Sequence, residues 1–178
     1  MKYETIEVNE ELYLDVPRER DCGAYVEYLK EHEIYRNTLR IPFPYHADDA
    51  FAFLRICRER EVKLGHPVNW AIRNRAGELI GGIGLADFEP GGHQAEIGYW
   101  LGKPHWGRGT MTTVVKALTA FAHRELGLVR ITAHVFEYNP KSTRVLEKAG
   151  FMQEGRLRKH YRKDGRIFDG FLFAMVFD

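Results

Sequence analysis

Three features of the sequence point to an α+β domain with a mixed, mostly antiparallel sheet of roughly six to seven strands, one parallel crossover and helices on both faces. Short runs alternate apolar and polar residues, as half-buried strands do. Longer runs carry apolar residues at three- and four-residue spacing, as helices with one buried face do. Between a run of the first kind (Ala95 to Leu101) and one of the second (Met111 to Phe121) lies the glycine turn Trp106-Gly-Arg-Gly-Thr-Met. At 178 residues the chain has the length of one domain, 1–178, with a single good core.

Leu12 to Val16 reads as the first strand, stopped by Pro17. Asp21 is placed to cap a helix running to about Lys30, with Ala24, Tyr25, Tyr28 and Leu29 inward. A second helix spans about Asp48 to Leu64, with Phe51, Phe53, Leu54, Cys57 and Val62 as its apolar positions. The connector Asn37 to Tyr45 is stiffened by two prolines and is placed either to wall a pocket or simply to pack. A meander follows: Asn69 to Asn74, a turn at Ala76-Gly77, Leu79 to Phe88, a loop at Pro90-Gly91-Gly92, and Gln94 to Leu101. Gly81, Gly82 and Gly84 inside its second strand signal a bulge or a close backbone approach, and Gly98 in its third a further bulge.

In that third strand Ala95, Ile97, Tyr99 and Leu101 share one face; Glu96, Gly98 and Trp100 share the other. The long helix from about Gly109 to Leu126 buries Met111, Val114, Val115, Leu118, Phe121 and Ala122. The strand Val129 to Phe136 comes next, so strand–helix–strand makes the parallel crossover. Asn139 then caps a helix whose first residue is Pro140. Gly150 ends it in a left-handed cap, with Phe151 packing back on Leu146. Two last strands, about Met152 to His160 and Arg166 to Val176, are joined by a hairpin turn at Lys163-Asp164-Gly165.

Composition removes several classes of function. The net charge is +1, which leaves no overall electrostatic footprint for nucleic acid or an acidic membrane. No apolar run is long enough to cross a bilayer, and Met-Lys-Tyr-Glu-Thr has no signal-peptide core, so a cytoplasmic setting is expected. Cys22 and Cys57 form no Cys-x-x-Cys and read as packing residues of a reduced compartment. The histidines show no metal-ligand grouping, and no metal is expected.

The glycine turn carries chemistry. A turn that opens a helix leaves N–H groups without intrahelical partners at the positive end of the helix dipole, which suits a phosphate or pyrophosphate. Arg108 and Lys103 add positive charge, and no acidic residue follows until Glu125. A tight strand-to-helix turn that binds nothing would have the same sequence. Neither familiar nucleotide motif is met: there is no Gly-Lys-Ser/Thr run, and Thr112 stands where a dinucleotide fingerprint needs its third glycine.

Four segments in order, Glu96-Ile-Gly-Tyr-Trp-Leu101, Trp106-Gly-Arg-Gly-Thr-Met-Thr112, Asn139-Pro-Lys-Ser to Phe151, and Glu154-Gly-Arg-Leu-Arg158, resemble the GNAT acetyltransferase superfamily. The likeness is nearest to the branch of the ribosomal-protein N-terminal acetyltransferases, the RimJ/RimL-like group. The resemblance implies acetyl-CoA as cofactor. It places the pyrophosphate on the amides of Gly107, Arg108, Gly109, Thr110, Met111 and Thr112, and the pantetheine arm along Tyr99, Trp100 and Leu101 and against Asn139. Met111 departs from the small residue usual at its position, and is expected to turn into the core.

Direct transfer to an amine needs a base, help for the oxyanion and a proton for the leaving thiolate. A strand amide near Trp100 or Leu101 is the oxyanion donor. Glu96 is the first candidate base and His134 the second, each with an ordinary structural role as its alternative. The tyrosine that many superfamily members carry seven residues after the Asn is Leu146 here, and Ser142 in the first helical turn is the substitute acid. Acceptor recognition falls to Asn37, Phe43 and Tyr45 and to His160 and Tyr161 of the last hairpin.

The resulting expectation is an N-acetyltransferase acting on a primary amine, either a peptide N-terminus or a small molecule, by direct attack in a ternary complex. A non-catalytic acyl-CoA-binding module of the same fold is the alternative. No nucleic-acid or membrane partner is expected, and the oligomeric state stays open, a homodimer included.

Overall fold

The structure, a computed structural model, describes residues 5–88 and 91–178. Pro90 of the expected turn therefore lies outside the described residues. The chain runs β1 (Thr5–Glu7), β2 (Leu12–Asp15), a 3-10 turn (Glu19–Asp21), α1 (Cys22–Leu29), α2 (His32–Asn37), α3 (Ala47–Leu64), β3 (Asn69–Asn74), β4 (Leu79–Ala86) and β5 (Gln94–Leu101). It continues through a second 3-10 turn (Lys103–His105), α4 (Thr110–Leu126), β6 (Arg130–Phe136), α5 (Pro140–Ala149), β7 (Met152–Lys163) and β8 (Arg166–Val176). Among the described residues the strands form one eight-stranded sheet in the order β1-β2-β3-β4-β5-β6-β8-β7. β5 and β6 are its parallel pair, with Ala95 opposite Ile131 and Glu96 opposite Thr132.

The mixed α+β architecture and its single parallel crossover are as expected. Two elements are additions. β1 has three residues, too few for alternation to register. α2 buries only Ile34 and has no side-chain cap, so neither a stripe nor a capping signal marks it.

Packing divides the chain into two compact units, one reaching to Gly84 and including Tyr99–Arg108, the other formed by Leu85–Gly98 and Gly109–Asp178. In the first, Tyr25, Leu29, Ile34, Tyr45, Ala50, Leu54, Ala71 and Leu79 form the core. α3 presents Ala50, Leu54, Cys57 and Glu61 inward. Phe51 and Val62, expected on that face, are 50% and 71% exposed. The stripe belongs to Ala50 and its i+4 and i+7 partners, and the large side chains beside it mislead the periodicity.

Asp21 does stand at the N-cap of α1, but its carboxylate makes no cap bond to that helix. It accepts from Arg73 Nη1 and Nη2 at 2.9 and 2.8 Å, and Asp15 accepts from Arg73 Nε at 2.5 Å. A buried guanidinium needs this many acceptors, and Asp21 serves it instead of the helix.

The three glycines of β4 mark close approach. A Cβ at Gly81 would lie 2.6 Å from the Trp100 carbonyl oxygen, one at Gly82 2.6 Å from Trp100 Nε1, and one at Gly84 would overlap the Asn69 amide. A bulge is also there, since Ile72 pairs with Gly81 while Arg73 pairs with Leu79. The space around Gly98, by contrast, is open.

In the second unit α4 buries Met111, Val114, Val115, Leu118, Phe121 and Ala122, the whole expected face, with Thr119 added. α5 ends at Gly150 with φ 105°, where the Phe151 N–H donates to the Leu146 carbonyl at 3.0 Å. The last hairpin turns through Asp164 and Gly165, both at positive φ.

Candidate active site

The glycine turn has the local geometry that its sequence suggests. Gly107 and Gly109 lie at φ 77° and 79°, a region that favours glycine, and a Cβ at either would meet nothing. The backbone conformation, not crowding, therefore explains both residues. α4 begins at Thr110 with no side-chain cap and no acidic residue in its first turn. α3 and α5 differ: Asp49 accepts from the His46 N–H at 2.8 Å, and Asn139 accepts from the Ser142 N–H at 3.3 Å. A 17-residue helix whose first amides lack a side-chain acceptor fits an anionic ligand. Met111 is buried, as expected.

Arg108 is exposed beside this turn. Lys103 is not available in the same way, because its ammonium pairs with Glu33 and lies 3.9 Å from Glu31. That pairing raises its pKa. The turn's approach is braced within the first unit. Trp106 Nε1 donates to the Leu101 carbonyl at 2.7 Å, and the Gly102 N–H donates to Ile80 O at 2.8 Å. Tyr28 Oη lies 3.3 Å from His105 Nε2, and a Cβ on Gly102 would run into the Tyr28 ring. Trp100 packs against Tyr25 and Tyr28. Trp100 is thus held by its ring contacts and Leu101 by the Trp106 bond, and the half-buried Tyr99 precedes them on β5.

In the second unit the two candidate bases form one pair. His134 Nδ1 lies 3.2 Å from Glu96 Oε2, each side chain 28% exposed. The hydrogen bond to Glu96 raises the His134 pKa, against desolvation, with smaller help from the Glu96 and Asp87 charges. His160 lies parallel to His134, centroids 6.0 Å apart, and edge-on to Tyr161 at 4.7 Å. The Tyr161 hydroxyl is buried and, among the described residues, has no hydrogen-bond partner. Burial, then the Glu96 charge, pushes that phenol up to about 12, so it stays a donor. The sequence offers Tyr161 as an acceptor contact but carries no sign that its hydroxyl is buried; the ring packs where a Cβ on Gly170 would strike it.

Ser142 sits half-buried in the first turn of α5, and Leu146 is fully buried, so the position of the absent tyrosine is a core position. The other acceptor candidates fall apart in kind. Asn37 Nδ2 donates to the Glu33 carbonyl at 2.8 Å and closes α2. Tyr45 is buried in the first unit's core, with its pKa raised by burial. Phe43 is exposed and packs on Tyr35 and His32.

Residues 11–152 match the acetyltransferase (GNAT) domain family. The chain belongs to this GNAT family. YoaA, an N-acetyltransferase of Bacillus subtilis (strain 168), is 36% identical over 110 residues, 61% of this chain and 62% of YoaA. The ribosomal-protein-serine acetyltransferase of Escherichia coli (strain K12) is 34% identical over 101 residues, 57% of this chain and 56% of that protein. The stretches matched in this chain therefore span less than two thirds of the length of these curated relatives. The crystal structure of the microcin C7 self-immunity acetyltransferase MccE, in complex with acetyl-CoA and AMP, matches with a TM-score of 0.89. The match covers 99% of this chain and 98% of that one at 20% identity, a likeness of GNAT fold.

Proposed function

We propose that this protein is an acetyl-CoA-dependent N-acetyltransferase that acetylates a primary amine by direct attack. The observation that carries the reading is the α4 N-terminus, opened by two left-handed glycines and left without a side-chain cap, in a chain of this family. On this reading the amides of Gly107–Thr112 and the Arg108 guanidinium hold the pyrophosphate. Asn139, whose Oδ1 is engaged by Ser142 N–H, keeps its amide Nδ2 for the pantetheine arm. Acetyl-CoA supplies the acyl group and the leaving thiolate.

The chain's own residues then do the proton work. Glu96 accepts from His134 Nδ1–H and fixes the tautomer in which Nε2 is the acceptor. His134 Nε2 takes the proton that the amine loses as its nitrogen bonds to the acyl carbon. Ser142, at the positive end of α5, holds a hydroxyl for the sulfur that departs. A peptide α-amino group, with a pKa of about 7.7–8.0, is partly neutral near pH 7 and suits a base of this strength; a Lys side chain at about 10.4 does not. Peptide N-termini and weakly basic small amines are therefore the expected acceptors.

The test is to mix the protein with acetyl-CoA and a panel of amines, peptides included, and to follow the release of free thiol. Release that depends on both substrates is the expected result. Tight binding of acetyl-CoA with no turnover across the panel would instead make the protein a binding module.

A further inference from the structure

The β7–β8 hairpin concentrates positive charge that the rest of the chain lacks. Between Gly155 and Arg166 stand six Lys and Arg and one Asp, a net +5 in a chain whose total is +1. The neighbouring carboxylates are engaged with other cations: Glu154 with Arg130, and Glu137 and Asp169 with Arg156. Arg158, Lys159, Arg162 and Arg166 are exposed and, among the described residues, form no salt bridge. Among the described residues β7 is also the last strand of the sheet, and one side of its backbone has no strand partner there.

This basic edge leads into the Glu96–His134 pair. Leu157 pairs with Gly170 and Tyr161 with Phe168, so Arg158, Lys159 and His160 bulge opposite Asp169 alone. Lys159 takes φ 51°, and its N–H donates to Asp169 Oδ1 at 2.8 Å. Arg156 Nε donates to the other oxygen at 2.9 Å. Bulges re-aim side chains, and this one sets the His160 ring parallel to that of His134. β7, which bears Arg158, Lys159 and Arg162, thus brings His160 beside the proposed base.

We propose that the β7 edge docks the acceptor as an added strand: an extended polypeptide with Asp or Glu within about its first five residues, its N-terminal amine directed to Glu96 and His134. The inference rests on the acetyl-transfer reading above. The charges favour such a polypeptide over a nucleic acid. Glu96 suits an ammonium and repels a phosphate, while Arg158 and Arg162 of β7, each two residues from His160, suit carboxylates that follow it. A free strand edge, moreover, reads peptide backbone.

The experiment compares two peptides that share an N-terminal serine, one continuing with alternating Asp and Glu, the other with Asn and Gln. Turnover is measured in low and high salt. The acidic peptide is expected to have a kcat/KM about tenfold or more higher at low salt, chiefly through KM, with the gap closing as salt screens exposed charges. In the Arg158→Gln/Arg162→Gln double variant the ratio should fall to near one, with acetyl-CoA still raising the Tm as evidence of a folded, loaded protein. A wild-type ratio near one overturns the proposal. So does a double variant that keeps the preference, whether or not it begins to self-associate; self-association would show cations guarding the edge. Turnover of small amines but of neither peptide also overturns it and leaves the transfer reading standing. No turnover of any amine ends both.

Discussion

Glu96 and His134 show what a single residue position can and cannot say. Each was legible as a candidate base from its type and its strand, but only as a rival of the other. Their partnership depends on the parallel register of β5 and β6, which sets Glu96 opposite Thr132, two residues before His134. Sequence does not encode that offset in any local signal. The pairing has a pH consequence. The hydrogen bond to Glu96 raises the His134 pKa, so kcat/KM should rise with pH through a midpoint above about 6.5, the ordinary imidazole value. Glu96→Gln should move that midpoint down in a pH–rate profile. Stability follows the same sign: an imidazole whose folded pKa is raised stabilises the fold fully below about pH 6.5, and that contribution is lost as pH rises through the folded value. The Glu96→Gln protein should accordingly lose Tm at pH 5.5 and little at pH 9.

At the scale of the element, glycines of two kinds separate binding from packing. Gly109 opens α4 in open space at φ 79°. Gly82 sits in β4 where a Cβ would lie 2.6 Å from Trp100 Nε1. Gly109→Ala meets only the backbone penalty, about 1–2 kcal/mol, but turns the first amides of α4 away from their aim. Acetyl-CoA affinity measured by calorimetry should drop by an order of magnitude or more, with the smaller part of the damage in stability. Gly82→Ala should do the reverse, costing about 1–3 kcal/mol in denaturation and sparing affinity once folded. α4 itself was fully legible because its apolar stripe is unbroken. α3 was not, because Phe51 and Val62 are apolar but exposed, whereas Ala50 and Glu61 are buried. The β7 bulge was invisible, since it is set by Asp169 across the hairpin and not by a glycine.

For the whole molecule, order and type of elements followed from turns, caps and spacing, and the family likeness from four segments that those turns hold in sequence. What stayed hidden is ionic. Arg73 reads as one more polar residue of an alternating strand, yet it is fully buried between Asp15 and Asp21 and also donates to the Gly77 carbonyl at 3.3 Å. This cluster ties β2, the start of α1 and β3 together. No pattern of a few residues announces it, because Arg73 lies 52 and 58 positions from its two aspartates in sequence. Removing the cation alone leaves two buried carboxylates with only the Arg18 N–H, 2.7 Å from Asp21, and the exposed Arg20, 4.0 Å from Asp15, to offset them. Arg73→Met is therefore expected to cost about 3–5 kcal/mol, seen as a lower urea midpoint at unchanged m-value. Replacing Arg55 is the matched control: that guanidinium is exposed, its contact with Glu59 at 3.8 Å is a surface pair, and its loss should cost about 1 kcal/mol or less. Equal costs for the two would mean that the buried cluster contributes no more to the fold than a solvent-screened pair, and that apolar packing alone sets the global stability.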